Sequence, residues 1–257
     1  MADHASPPDS ASTPPLFAIV GATGGIGSAL CRHLAARGAK LLLGGRDLEK
    51  LEVLADEVAG VPIEVDARDF DQVVDFLGEA AELPWNLSGV ANLAGSLFLK
   101  PAHATRRNDF DDVVATNLVT AFATVRAAAK TMRRGGSVVL MSSAAAQVGL
   151  PSHEAIAAAK AGVAGLTRSA AATYASRGLR VNAVAPGLVD TPMTSRITGN
   201  EMALAASLDL HPIGRVGRAE EVASLIAWLL GPDSSWVSGE VWKIDGGLAG
   251  LKGKGRA

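Results

Sequence analysis

A chain of 257 residues, 48% hydrophobic and 19% charged, has the length of one large α/β domain and the composition of a protein with a substantial core. A formal net charge of −2 gives no strong field to recruit nucleic acid or an anionic membrane, and no apolar run reaches the ~18 residues of a membrane span. The single cysteine, Cys31, excludes an internal disulfide and fits a reducing, cytoplasmic setting; a buried small hydrophobe is a commoner use of such a residue than a nucleophile.

Residues 1–15 are rich in Pro, Ser, Ala and Asp and lack the basic end and apolar run of a secretory signal. They predict a disordered lead-in, with His4 a bystander. The apolar run 16–20 reads as a buried strand. A glycine turn, Gly21 to Gly27, follows, and then a helix over 28–37 on the spacing of Ile26, Leu30 and Leu34. Strand, turn and helix make the front of a βαβ unit, in which backbone amides approach a pyrophosphate and the helix N-terminus favours its charge. Such a loop alone is weak evidence, because ordinary glycine turns are as common. A second strand spans 40–45, and Arg46 stands at its C-terminal edge. A guanidinium there favours a ribose 2′-phosphate over a 2′-hydroxyl; the alternative is a solvated loop arginine.

The alternation continues with a helix over 47–58, a strand over 62–65, a helix over 69–82 and a strand running through 90–95 into a loop. A long helix over 109–132, a strand over 137–141 ending in Ser142 and Ser143, and a helix over 155–176 follow. A strand over 179–184 ends at Pro186 and Gly187, a helix spans 219–230, and a strand over 240–244 closes the sheet. Strands alternating with helices predict a single doubly wound α/β domain over 16–250, a parallel sheet with helices on both faces. Its ligands bind where the strand C-terminal loops converge. Residues 251–257 are a basic, glycine-rich tail.

Those loops carry a family likeness. Gly21-x3-Gly25-x-Gly27, Asp66, the Asn92–Gly95 run, Asn117, Ser143, Lys160, Pro186-Gly187, Thr191 and Asp245-Gly-Gly247 stand in an order and spacing that is strongly specific in combination. On these residues the chain resembles the short-chain dehydrogenase/reductase family over about 16–247, in the branch like 3-oxoacyl-acyl-carrier-protein reductases. The resemblance implies a Rossmann-type fold and an oxidoreductase that moves a hydride between a nicotinamide cofactor, here NADP(H) rather than NAD(H) on account of Arg46, and a small carbonyl or alcohol. It implies that Gly21, Thr23, Gly25, Ile26 and Gly27 pass under the pyrophosphate. Asp66 would meet the adenine, Asn92 and Gly95 would line the adenosine-side wall, and Pro186, Gly187, Val189 and Thr191 would flank the nicotinamide. It also implies a mobile substrate lid over about 190–213, no metal, and a homo-oligomer, dimer or tetramer, to which Trp228, Trp236 and Trp242 would contribute unless they are core residues. His211 reads as structural.

The family's catalytic group is Asn, Ser, Tyr and Lys. Asn117, Ser143 and Lys160 match it, but Ile156 stands where the tyrosine belongs. The only tyrosine, Tyr174, lies eighteen positions on, roughly 27 Å further along the same helix. Isoleucine donates no proton, and losing a general acid typically costs ~10²–10⁴ in rate. His153 is three residues before Ile156 and seven before Lys160. On a helix those positions share a face, so His153 is the candidate replacement acid; the alternative is a helix-start residue without chemistry. Two readings of function stay open: an oxidoreductase with an atypical acid/base, and a dinucleotide-binding sensor or scaffold protein without turnover.

Overall fold

The computed structural model describes residues 13–252; the predicted lead-in up to residue 12 and the end of the predicted tail lie outside the described residues. Seven parallel strands form one sheet: β1 (Leu16–Val20), β2 (Lys40–Gly45), β3 (Val61–Glu64), β4 (Leu87–Asn92), β5 (Gly136–Met141), β6 (Leu179–Pro186) and, after a short parallel pair β7 (Val189–Asp190) and β8 (Gly217–Arg218), β9 (Val241–Ile244). Their order across the sheet is β3-β2-β1-β4-β5-β6-β9. The chain winds outward one way from β1 to β3, then returns to place β4 on the other side of β1. The loops after β1 and β4 therefore part at this reversal and leave a crevice at the strand C-terminal ends.

β1 is buried along its whole length, as a strand covered on both faces must be. Leu16, Ala18 and Val20 pack with Phe76, Val125 and Val163 on α3 (Phe70–Gly78), α5 (Thr120–Thr131) and α6 (Glu154–Tyr174). Phe17 and Ile19 face the other way, onto Leu30, Leu51 and Ile226 of α1 (Gly25–Ala35), α2 (Leu48–Val58) and α9 (Ala219–Leu230). Asp47 starts α2 by accepting a hydrogen bond from the Lys50 amide, and Asp69 starts α3 by accepting from the Asp71 and Gln72 amides. Each satisfies amides that the first turn leaves open.

The helix expected over 109–132 is interrupted. α4 (Arg107–Val114) runs into a π-helical turn at Ala115–Val119 before α5 begins. Asn117 lies in that turn and donates from Nδ2 to the Val113 carbonyl at 3.0 Å. The helix expected over 69–82 ends at Gly78 and tightens into a 3-10 turn. Two helices not expected from the sequence, α7 (Ser195–Thr198) and α8 (Glu201–Leu210), lie in the chain between β7 and β8. Among the described residues no helix is long and apolar enough to cross a membrane.

The join of β1 to α1 is the tightest part of the crevice floor. A Cβ on Gly27 would lie 2.2 Å from the Gly21 carbonyl oxygen and 2.7 Å from that of Ala22. Both are backbone atoms that cannot swing away, so Gly27→Ala is expected to lower unfolding stability by at least ~1–3 kcal/mol; chemical denaturation measures this.

Candidate active site

Two adjoining cavities, of about 250 and 220 Å³, open on the crevice and share Gly21, Thr23, Gly24, Leu93, Gly95 and Met193. A larger cavity of about 810 Å³ lies around Phe17, Ser137, Leu179 and Trp236, at the opposite end of the strands from these loops.

The shared floor is backbone. Gly21 has a φ of +79°, and a Cβ there would lie 2.8 Å from the Ala94 nitrogen. The loops after β1 and β4 thus touch main chain to main chain. α1 starts at Gly24 with no side-chain cap and no acid in its first turn. The first-turn amides carry partial positive charge toward the cavity, which suits a phosphate. A Cβ on Gly25 would lie 2.9 Å from the side chain of Thr191, so this loop and the one after β6 close on each other.

Arg46, Asp66 and Arg68 line the smaller cavity. Arg68 grips the Asp66 carboxylate through Nε and Nη2 at 2.6–3.1 Å. That hydrogen bonding, aided by the Arg46 charge, holds the Asp66 carboxyl below its ordinary range. Arg46 is exposed and makes no ion pair among the described residues. Asn92 departs from expectation: it lines neither cavity. It is buried, donates from Nδ2 to Thr124 Oγ1 and accepts from the Ala94 amide, both at 2.9 Å. It braces the loop that carries Gly95 from behind and does not form the wall itself.

The larger of the two cavities is lined by Asn117, Ser143, Ile156, Lys160, Pro186, Gly187, Val189 and Thr191, with the glycine loop at its other side. Lys160 is 6% exposed, and its Nζ donates to the Met141 carbonyl at 2.8 Å. Burial pushes its ammonium down to about 8. Ser142 donates to the Lys160 carbonyl at 2.9 Å, fixing α6 against the end of β5. Ser143 accepts from the Ala145 amide at 3.2 Å. Ile156 is 4% exposed and packs with Val113, Ala155 and Ala159, against Phe98 and Leu118.

His153 does not share the cavity face of Ile156 and Lys160. It is the N-cap of α6, with φ −107° and ψ 9°, so the i, i+3, i+7 rule does not reach back to it. Its Nδ1 donates to the Pro151 carbonyl at 2.8 Å, and the ring is not among the cavity-lining residues. His211 is buried; its Nδ1 donates to the Ser207 carbonyl at 2.6 Å and its Nε2 accepts from the Leu188 amide at 3.1 Å, tying α8 to the loop after β6. Trp228 and Trp242 pack edge to face with centroids 5.4 Å apart, while Trp236 stands exposed. Among the described residues no group of His, Cys, Asp and Glu could hold a metal ion.

Sequence reasoning missed Ser96, Leu97, Met141 and Thr194, which also line this cavity. Ser96 directly follows the Asn92–Gly95 run, but its tie to Asn117, 21 positions away, has no local sequence signal.

Comparison with known proteins agrees with this architecture. Residues 21–249 match the family model described as Enoyl-(Acyl carrier protein) reductase. The chain is 36% identical over 237 residues to the 3-oxoacyl-acyl-carrier-protein reductase FabG of Thermotoga maritima, covering 90% of this chain and 96% of that one. It is 36% identical over 245 residues to a cis-4-hydroxycyclohexanecarboxylate dehydrogenase of Sinomonas cyclohexanicum, covering 91% and 96%. A short-chain type dehydrogenase/reductase from Mycobacterium ulcerans superposes with a TM-score of 0.89 at 26% identity, covering 94% of this chain and 92% of that one. An actinorhodin polyketide ketoreductase variant with NADPH gives 0.87 at 26% identity, covering 93% and 98%. The chain belongs to the short-chain dehydrogenase/reductase family of oxidoreductases.

Lys160 carries a stability cost that can be measured. Its folded-state pKa lies below its ordinary value of 10.5, so the penalty is present in full below about pH 8 and fades as pH rises toward 10.5. At ~1.4 kcal/mol per unit it amounts to about 3 kcal/mol. Lys160→Met removes it but leaves the Met141 carbonyl without its partner, at about 1–2 kcal/mol. Denaturation at pH 7 is expected to show Lys160→Met more stable than the parent by about 1–2 kcal/mol, with the gain gone above pH 10.5.

Proposed function

We propose that this chain is an NADP(H)-dependent oxidoreductase acting on a small or medium carbonyl or alcohol, with Lys160 rather than a tyrosine supplying the proton. The observation that carries the reading is a buried lysine in the same cavity as Ser143, continuous with a glycine-rich cradle. The cradle fits a dinucleotide, because its tightest positions leave no room for a Cβ. Gly21, Thr23, Gly25, Ile26 and Gly27 would hold the pyrophosphate, and Asp66 and Gly95 would flank the adenosine. Arg46 would meet a 2′-phosphate, which supports NADP(H) over NAD(H). Pro186, Gly187, Val189 and Thr191 would flank the nicotinamide, which supplies the hydride when bound.

The protein's own residues do the rest. Ser143 donates a hydrogen bond to the substrate oxygen and orients it. Lys160 keeps a transferable proton on Nζ, held in place by the Met141 carbonyl, at a pKa near working pH. Asn117 fixes the loop around Ser96. Ile156 presents an apolar wall where the family carries tyrosine, and the segment over 190–213, with Met193 and Met202 exposed on it, closes over an apolar substrate. Phe110 and Phe122, 40% and 50% exposed on α4 and α5, support a dimer or tetramer, and the free, buried Cys31 suits a reducing cytoplasm.

A second reading is favoured by one observation: the packing of Ile156 in its own small core, which suits a protein that holds the dinucleotide as a sensor or scaffold without turnover. Oxidation of NADPH and NADH against ketones and aldehydes distinguishes the two. The proposed enzyme is expected to turn over, to prefer NADPH by at least ~10-fold and to reverse that preference in Arg46→Asp. His153→Ala is expected to keep its turnover, because the ring lies outside the cavity; loss of turnover there, with NADPH binding intact, would return the proton to His153. In the sensor reading no variant but Ile156→Tyr gains carbonyl reduction.

A further inference from the structure

Ser96 is held as no other hydroxyl in the cavity is. Its amide donates to Asn117 Oδ1 at 3.2 Å, and Asn117 Nδ2 donates to its Oγ at 3.0 Å. The second Nδ2 hydrogen goes to the Val113 carbonyl, so the orientation of the amide is fixed by an oxygen that can only accept. Asn117 itself is 1% exposed and sits in the π-helical turn. A lone pair of Ser96 Oγ is therefore occupied by a rigid, buried donor, while its own hydrogen has no acceptor among the described residues. Ser143 is the mirror case: its Oγ accepts from the Ala145 amide and its hydrogen is equally uncommitted. Ser142 differs, because its hydrogen is spent on the Lys160 carbonyl. Ser96 and Ser143 come from the loops after β4 and β5, neighbours in the sheet, and line one cavity together with Ile156 and Lys160.

We propose that Ser96 is a second hydroxyl donor to the substrate oxygen, acting with Ser143 so that two serine hydrogens receive the charge that develops on that oxygen. This rests on the oxidoreductase reading above and deepens it. A serine hydroxyl is a poor acid but a good donor. Two of them, each oriented by a fixed donor of its own, form a preorganised site for a developing alkoxide. Such a site compensates for the hydrogen bond that Ile156 cannot make, and it leaves proton delivery to Lys160. It also selects substrates: an oxygen able to accept two hydrogen bonds, with apolar Leu97, Ile156 and Met193 around it, means a ketone or aldehyde on an apolar frame.

The test uses the full chain with NADPH and three carbonyl probes: cyclohexanone, benzaldehyde and ethyl pyruvate. Ser96→Ala is expected to lower kcat by ~10²–10³, the usual effect of removing one such donor, with little change in NADPH binding or melting temperature. Ser96→Thr, which keeps the hydroxyl, is expected to restore most of it. Infrared spectra of the best probe bound beside NADP+ give a readout independent of turnover: the carbonyl stretch is expected to lie lower in the parent than in Ser96→Ala. Turnover and carbonyl stretch both unchanged in Ser96→Ala would overturn this inference while leaving the oxidoreductase reading standing. No turnover of any probe by the parent, with NADPH bound, would overturn that reading and this inference with it.

Discussion

The backbone contact between Gly21 and Ala94 is the constraint on which the site depends. The sheet reverses its winding at β1, so the loops after β1 and β4 must separate there, yet they begin by touching main chain to main chain. No side chain can stand between them. That contact aims the N-terminus of α1 across the crevice and holds Gly95 beneath Asn117 and Lys160. A Cβ on Gly95 would lie 3.1 Å from Asn117 Oδ1 and 3.6 Å from Lys160 Nζ. The glycine loop and the Lys160 end of the cavity are therefore two ends of one floor, braced from behind by Asn92 and Thr124.

On that floor the chain carries an energetically expensive group beside a cheap one. A lysine buried to 6% exposure, with a single carbonyl as partner among the described residues, opposes folding at neutral pH, whereas a buried isoleucine among Val113, Ala159 and Leu118 favours it. A protein shaped by stability alone would not retain the lysine. Its retention, in the same cavity as Ser143 and the Asn117–Ser96 pair, is the argument for chemistry at this site. In the proposed reaction, hydrogen bonding to the oxygen and delivery of its proton would fall to separate residues, because Ile156 can do neither.

The fold was legible because parallel strands covered on both faces must read as apolar runs, as 16–20 and 137–141 do, and because glycine turns punctuate them. Belonging to the family was legible from spaced residues that lie far apart in sequence and meet only at the strand ends. What escaped the sequence was local geometry. His153 reads as one face with Ile156 and Lys160 only if the helix already includes it, and its N-cap dihedrals break that register. The continuous helix expected over 109–132 hides a π-turn at Ala115–Val119, because one wider backbone turn leaves little mark on hydrophobic periodicity. Ser96 has no signal in its neighbours at all; its role depends on a contact across 21 residues.

The most direct test of the central claim, that Lys160 supplies the proton in the absence of a tyrosine, is the pH dependence of kcat/KM for NADPH-driven reduction of a ketone. A donor must be protonated to act, so the rate is expected to be level at low pH and to fall as pH rises through about 8, where burial has brought the Lys160 ammonium, with Lys160→Met slower by ~10²–10⁴ at neutral pH. A rate that stays level through pH 9, or one unchanged in Lys160→Met, would contradict it.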